Sequence, residues 1–332
     1  MVDRIFVTRK IPEIGLEMLK KEFAVDIWKE QQPPSSEEII RRAKNCHGLI
    51  TLLSDPINKE LIEQLPRLKM IAQYAVGYDN IDIEAATEEG ILVSNTPGVL
   101  TETTADLTWA LIFASARRIP EADRYVREGE WKVAWGPEML LGKDIYGATL
   151  GIVGLGRIGT AVAKRAKGFS MKVIYSSKSE TELTRVVEDE LGAEPCELEE
   201  LLRKSDIVTL HVPLTDETEG MIGNEQIAMM PKGSILINTS RGAVVDQRAL
   251  IEALERGHLF SAGLDVFQEE PLESDSKLLK LTNVVLAPHI GSASFSTRAK
   301  MAEICARNMI QGLSDEIPDN LVNPQVLVQS KQ

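Results

Sequence analysis

Cysteine is scarce in this chain of 332 residues: Cys46, Cys196 and Cys305 stand far apart, and none forms a C-x-x-C pair. That spacing argues against a disulfide framework or a zinc site. Small apolar side chains, buried or half-buried in a reducing compartment, are expected instead, and no metal. Positive charge is also short. Lys plus Arg total 37 against 50 Asp plus Glu, a formal net charge of −13, and no basic run carries interleaved aromatics. Nucleic acid is therefore not an expected partner. No apolar run approaches the ~18 residues of a membrane span. The opening M-V-D-R-I-F-V-T-R-K lacks the apolar core of a secretion signal. These absences predict a cytoplasmic protein without membrane contact. Internal repeats and low-complexity segments are missing as well.

What is present is an ordinary globular composition, 43% hydrophobic and 26% charged, over a length that suits two domains. Short β-branched runs alternate with helical ones from the start. Arg4 to Thr8, Ala24 to Trp28, His47 to Leu52, Leu68 to Gln73 and Ile91 to Ser94 read as strands. Pro12 to Glu22, Ser35 to Ala43, Asn58 to Leu65 and Ile83 to Glu89 read as helices, with Ser36 as the expected N-cap of the second. After Thr96-Pro97-Gly98 a long helix is predicted from Thr101 to Arg118. An irregular stretch, 129–142, carries Trp131 and Trp135 and suggests an interface. The alternation then resumes with strands at Met171 to Ser176, Asp206 to Val212, Ser234 to Asn238, Ala262 to Val266 and Asn283 to Ala287. Helices are expected at Glu197 to Arg203, Asn224 to Met229 and Asp246 to Glu255. A last helix, Ser294 to Gly312, leads into an extended tail, Pro318 to Val328. Such a pattern predicts an α/β fold of two doubly wound parallel sheets.

The stretch Ala148 to Gly159, A-T-L-G-I-V-G-L-G-R-I-G, holds Gly154, Gly156 and Gly159 in the spacing G-x-G-x-x-G, after an apolar run and before an amphipathic one. Strand, glycine turn and helix in that order form the setting of a dinucleotide site. The first glycine permits the tight turn, the second lets a pyrophosphate approach the backbone, and the third lets helix and strand pack closely, with the phosphates at the helix N-terminus. Cofactor contacts are thus expected from Gly154, Leu155, Gly156, Arg157, Ile158 and Gly159. NAD-binding folds place an Asp or Glu about 20 residues further on, against the ribose 2′-hydroxyl. Here the strand runs out in Ser176-Ser177-Lys178-Ser179, with no carboxylate before Glu180. Three hydroxyls and an ammonium suit a 2′-phosphate, so NADP(H) is the expected preference, with NAD(H) possible.

Further motifs follow: H-V-P-L-T at His211 to Thr215, N-T-S-R-G around Arg241, G-L-D-V-F-Q-E-E-P ending in Glu270 and Pro271, and P-H-I-G-S around His289. Y-A-V-G-Y-D-N-I-D spans Tyr74 to Asp82. Over nearly its whole length the chain resembles the D-isomer-specific 2-hydroxyacid dehydrogenases, and within them the archaeal glyoxylate reductases. The resemblance implies a Rossmann dinucleotide domain, residues 99–288, inserted into a flavodoxin-like substrate domain made of residues 1–98 and 289–332, with the active site in the cleft between them. It implies reduction of glyoxylate, and of hydroxypyruvate, to the 2-hydroxy acid. A phosphoglycerate dehydrogenase, or a non-catalytic dinucleotide-sensing corepressor, is the competing reading. Arg241, Glu270 and His289 become the catalytic residues. His289 gives up a proton in reduction, Glu270 orients it and favours its charged form, and Arg241 offers a planar fork to the carboxylate. Substrate contacts fall on Leu53, Ser54, Val76, Gly77, Arg241 and His289. Further cofactor contacts fall on Val212, Pro213, Thr239, Ser240, Arg241, Asp265, His289, Ile290 and Gly291. For Asp265 a strand-end capping role is the alternative. A homodimer is implied too, although the loop from Trp131 to Gly142 looks shorter than in relatives, which leaves the role of Trp135 open.

Overall fold

The computed structural model describes residues 2–178 and 181–329. It divides into two compact units, Met1–Leu100 with Ser292–Gln332, and Thr101–Gly291. The divisions fall two residues after the first expected boundary and three after the second, so that His289, Ile290 and Gly291 pack with the second unit.

The first unit carries β1 (Arg4–Val7), β2 (Ala24–Ile27), β3 (Gly48–Thr51), β4 (Met70–Gln73) and β5 (Leu92–Ser94). They pair in parallel in the order β2-β1-β3-β4-β5. Helices cover both faces, which is why β3 and β4 are buried along their whole length rather than at alternate residues. The helix Glu13–Glu22 lies so close to the late helix Phe295–Leu313 that a side chain at Gly15 would meet the Ala302 carbonyl. The helix Ser36–Ala43 is capped one residue earlier than expected, by Ser35, whose hydroxyl accepts from the Glu38 amide. Ser36 occupies the first helical position instead. The tail is extended only in part. Leu321 bridges Ser94 in antiparallel fashion, and the buried Asn323 donates to Thr87 Oγ1 and Ile91 O, both at 2.9 Å, before a short helix, Val326–Gln329, closes it.

The second unit carries β6 (Thr149–Val153), β7 (Lys172–Ser176), β8 (Glu194–Pro195), β9 (Ile207–Leu210), β10 (Ser234–Asn238), β11 (Leu259–Leu264) and β12 (Val284–Leu286), all parallel, in the order β12-β11-β10-β9-β6-β7-β8. The order reverses at β6, and ligands of such sheets bind beyond the carboxyl ends of the strands at that point. The helix Thr101–Ala116 belongs here: Trp109 Nε1 donates to Val162 O at 3.1 Å and its ring stacks on Phe169, centroids 5.0 Å apart. It stops two residues short of expectation because Arg118 turns left-handed, and a separate helix with no buried residue, Ile119–Arg127, follows. A further helix, Glu182–Leu191, stands where the sequence pattern predicts none, its start marked by Thr181 and Thr184 bonding each other's amides. No helix among the described residues is long and apolar enough to cross a membrane. Cys46 and Cys305 are buried and Cys196 is half-buried, all as free thiols.

Candidate active site

Three glycines after β6 have three different reasons to be glycine. Gly154 has φ +92, and a Cβ there would come within 2.9 Å of the His211 backbone; its amide donates to Ser176 O at 2.8 Å, tying the ends of β6 and β7 together. A Cβ on Gly159 would collide with the Gly154 carbonyl oxygen, so helix Arg157–Ala166 sits against the strand only because no side chain intervenes. Gly156 is the reverse case. A Cβ there would meet no protein atom within 4 Å, so its lack of a side chain serves something other than the protein's own packing. The turn opens on the N-terminus of a ten-residue helix with no acidic residue in its first turn, a place where unpaired amides favour an anion. Residues present here fit the pyrophosphate of a dinucleotide.

At the end of β7, Ser176 is half-buried while Ser177 and Lys178 are exposed; Ser179 lies outside the described residues. Lys178 Nζ pairs with Glu217. That carboxylate arrives from the connection after β9, far away in sequence, so nothing in the run after β7 announces it. On the next strand end, His211 accepts or donates across 3.0 Å to Thr209 Oγ1, and burial pushes its pKa down to about 3, which keeps the ring neutral. Val212 packs near Gly154, Pro213 O accepts from Thr218 Oγ1 at 2.7 Å, and the Thr239 hydroxyl lies 3.0 Å from that of Thr108.

The ends of β10, β11 and β12 bring Arg241, Glu270 and His289 into one group. His289 Nδ1 lies 2.7 Å from Glu270 Oε2, and the other carboxylate oxygen accepts from the Phe267 amide at 3.1 Å. Burial by itself would raise the Glu270 carboxyl. The His289 bond and charge, the Phe267 amide and the Arg241 charge outweigh it and hold the group below the ordinary carboxylate range. An ionised Glu270 fixes the imidazole with Nε2 left for other chemistry. Glu269, its neighbour, is exposed. The Arg241 loop presses against the Phe267 carbonyl so tightly that a Cβ on Gly242 would overlap it, and this explains the glycine after the arginine. Asn238 shapes that loop: its amide donates to Arg241 O at 2.8 Å and its carbonyl accepts from Ser240 N and Oγ.

His289 sits at φ +53, a left-handed backbone that costs a non-glycine residue energy and persists only where neighbours enforce it. Asp265, 1% exposed, supplies the enforcement. Its backbone carbonyl accepts from His289 N at 2.8 Å, and its carboxylate accepts from Ile290 N at 2.7 Å and Gly291 N at 2.8 Å. Burial raises its pKa against the pull of those amides. The carboxylate thus caps the turn carrying the histidine.

In the first unit, Ser54 Oγ accepts from Arg9. Val76 and Gly77 lie in the loop beyond β4, which ends at Gln73. Their carbonyls accept from Asn95 Nδ2 at 2.8 Å and Gln73 Nε2 at 3.2 Å. Among the described residues no acceptor is paired with their amides.

A parallel sheet reversing at a glycine turn, with an Arg, Glu and His grouped beyond its strand ends, defines a dinucleotide-dependent oxidoreductase. The chain belongs to the D-isomer specific 2-hydroxyacid dehydrogenases, whose NAD binding domain matches residues 109–291. It is 58% identical over 327 residues, 98% of each chain, to the glyoxylate reductase of Korarchaeum cryptofilum, and 54% identical over 99% of each to that of Thermococcus litoralis. Among solved structures, the NADPH-dependent glyoxylate/hydroxypyruvate reductase of Sinorhizobium meliloti, in complex with NADP and malonate, is 30% identical over 98% of each chain with a TM-score of 0.86.

Proposed function

We propose that this enzyme reduces glyoxylate, and hydroxypyruvate beside it, with NADPH as the preferred cofactor, as a homodimer in the cytoplasm. The observation that carries the reading is the 2.7 Å bond between His289 Nδ1 and an ionised Glu270, in a chain so similar to glyoxylate reductases from end to end. Arg241 and the amides of Val76 and Gly77 hold the carboxylate of the 2-oxo acid, and Leu53 and Ser54 bound the space beside it. Arg241 also polarises the carbonyl. His289 delivers a proton from Nε2 to the carbonyl oxygen as charge builds there, and Glu270 stabilises the imidazolium that makes this possible. The glycine turn holds the pyrophosphate, and Val212, Pro213, Thr239, Ser240, Asp265, Ile290 and Gly291 bound the rest of the cofactor. When bound, the reduced nicotinamide supplies the hydride. The assay that tests the whole reading is NADPH oxidation on addition of glyoxylate; no turnover with any small 2-oxo acid would overturn it.

The role of Glu270 has a direct test. Glu270, held below the ordinary carboxylate range, is the ionised partner of His289 Nδ1, and it loses that role only when acid protonates it. Glu270→Gln removes that charge while keeping the side chain's shape, and kcat/KM for reduction should fall by about 10-fold or more with NADPH affinity near wild type. An unchanged kcat/KM would remove Glu270 as the partner.

Cofactor preference rests on Ser176, Ser177, Lys178 and Ser179, without a carboxylate in the run, against the Lys178 pairing with Glu217. Wild-type kcat/KM should be higher with NADPH than with NADH, and Ser176→Asp should reverse the order by setting a carboxylate against the 2′-phosphate. Glu217→Gln should increase the NADPH preference by releasing Lys178. A wild-type enzyme that favours NADH refutes the assignment.

The homodimer is supported by the apolar surface on 119–146: Val126 is 54% exposed, Trp131 51%, Val133 63% and Trp135 76%. Monomeric proteins rarely leave so much apolar area together in water. Sedimentation at micromolar concentration should give twice the chain mass, and Trp135→Glu should weaken the association; a monomer of wild type disposes of the idea.

A further inference from the structure

Beneath the two loops assigned to the substrate carboxylate lies a chain of side-chain amides that the reaction itself does not use. Gln73, fully buried at the end of β4, takes a hydrogen bond from Thr51 Oγ1 on its carbonyl at 2.6 Å. Its Nε2 donates to Gly77 O at 3.2 Å and to Asn80 Oδ1 at 2.7 Å. Asn80 in turn donates from Nδ2 to Leu52 O at 3.1 Å and Asp55 O at 2.8 Å. Both nitrogens of the pair face two acceptors, so neither amide can be flipped without setting carbonyl against carbonyl. Asp55, with no exposed surface, secures the far end: its carboxylate accepts from the Leu52 amide at 2.7 Å and from the Thr8 hydroxyl. The loop 52–55, with Leu53 and Ser54, and the loop 74–80, with Val76 and Gly77, are therefore bolted together through Gln73 and Asn80 close to their tips.

We infer that Gln73 and Asn80 are positioning residues that aim the Val76 and Gly77 amides and set their distance from Leu53 and Ser54. The inference rests on the reading that those amides receive the substrate carboxylate. Pulling the Gly77 and Val76 carbonyls inward, through Gln73 and Asn95, turns the loop so that its N–H groups are the polar atoms left over. An amide receiver makes an anion's binding depend on angles of a few tens of degrees, since hydrogen bonds weaken steeply as they bend. Fixing the loop from below with the buried Gln73 and the half-buried Asn80, whose amide groups are hydrogen-bonded, supplies that rigidity without placing a side chain beside the substrate.

Asn80→Asp is nearly isosteric and sets a carboxylate against the Leu52 and Asp55 carbonyls. The expected result is a KM for glyoxylate raised by about tenfold or more, from the loss of two part-buried hydrogen bonds. In the same variant kcat should change by less than about threefold and the NADPH dissociation constant by less than about twofold, because His289, Glu270 and the glycine turn are untouched. Asn80→Ser, which keeps one donor and adds no charge, should raise KM by less, and it serves if the aspartate variant does not fold. Gly77→Pro, which deletes one receiving N–H, is measured beside them. A raised KM in Gly77→Pro with an unchanged KM in the Asn80 variants, whatever their melting temperatures, overturns the positioning role alone. An unchanged KM in Gly77→Pro overturns the carboxylate reading and this inference with it.

Discussion

Replacing His289 with alanine is expected to lower glyoxylate reduction by roughly 10²-fold to 10⁴-fold, the usual cost of losing a proton-transfer group, while NADPH binds almost as tightly as before. The separation of the two effects follows from the layout of the second unit. The phosphate site proposed above is the turn after β6, whereas His289 stands after β12, four places away in the sheet order. The variant should fold normally too, because the histidine's backbone amide still donates to Asp265 O, and the Asp265 carboxylate still holds Ile290 and Gly291. Alanine at φ +53 adds little strain that histidine did not already bear. Steady-state kinetics with glyoxylate, together with NADPH titration by fluorescence, checks both halves. Near-normal turnover would remove His289 from the reaction, and a lost NADPH affinity would mean that the histidine holds the cofactor rather than the proton.

Two single-methyl substitutions in the glycine turn should fail in opposite ways. Gly159→Ala places a Cβ against the Gly154 carbonyl oxygen and within 3.2 Å of Ile152. Neither backbone nor buried strand can yield cheaply, so the helix must lift from β6 at a cost of about 1–3 kcal/mol, as for other overpacked sites. Melting temperature and cofactor affinity should fall together. Gly156→Ala places its methyl where the protein has no atom within 4 Å, so the fold should melt as wild type does. The methyl occupies the path by which a pyrophosphate reaches the backbone, and NADPH affinity should fall by about 10-fold or more, as expected when a close charge-assisted contact is lost. Thermal melts with and without NADPH decide the matter: a Gly156→Ala protein that melts normally and is stabilised by NADPH like wild type would mean the cofactor does not cross that glycine.

Much of this was legible in the residues, for reasons local to the chain. The alternation of short buried runs with amphipathic ones reports parallel strands because crossover helices bury both sheet faces, and β3, β4, β9 and β10 are buried at every residue. The glycine spacing reports a turn because Gly154 and Gly159 each meet a steric limit set within a few residues or at one adjoining strand end, while Gly156 leaves its side open. The motifs around Arg241, Glu270 and His289 marked the residues that the ends of β10, β11 and β12 gather. Weaker local signals were misread. The cap at Ser35 rather than Ser36 is a single hydrogen bond that the neighbouring serine could equally have made, and the helix Glu182–Leu191 and the closing turn Val326–Gln329 carry no comparable pattern in the sequence.

The rest required the fold itself, because it depends on atoms far apart in the chain. Nothing beside Lys178 in sequence points to Glu217, yet the two meet. The capping role of Asp265 shows only when β11 and the turn after β12 are placed side by side, where its carboxylate accepts from the Ile290 and Gly291 amides. Gln73 and Asn80 look like ordinary polar residues until β3 and β4 bring Thr51, Leu52 and Asp55 within reach of their amides. A periodic pattern or a glycine spacing encodes what a segment must do by itself. Which buried donor finds which acceptor is decided only when the sheets set the strand ends in register.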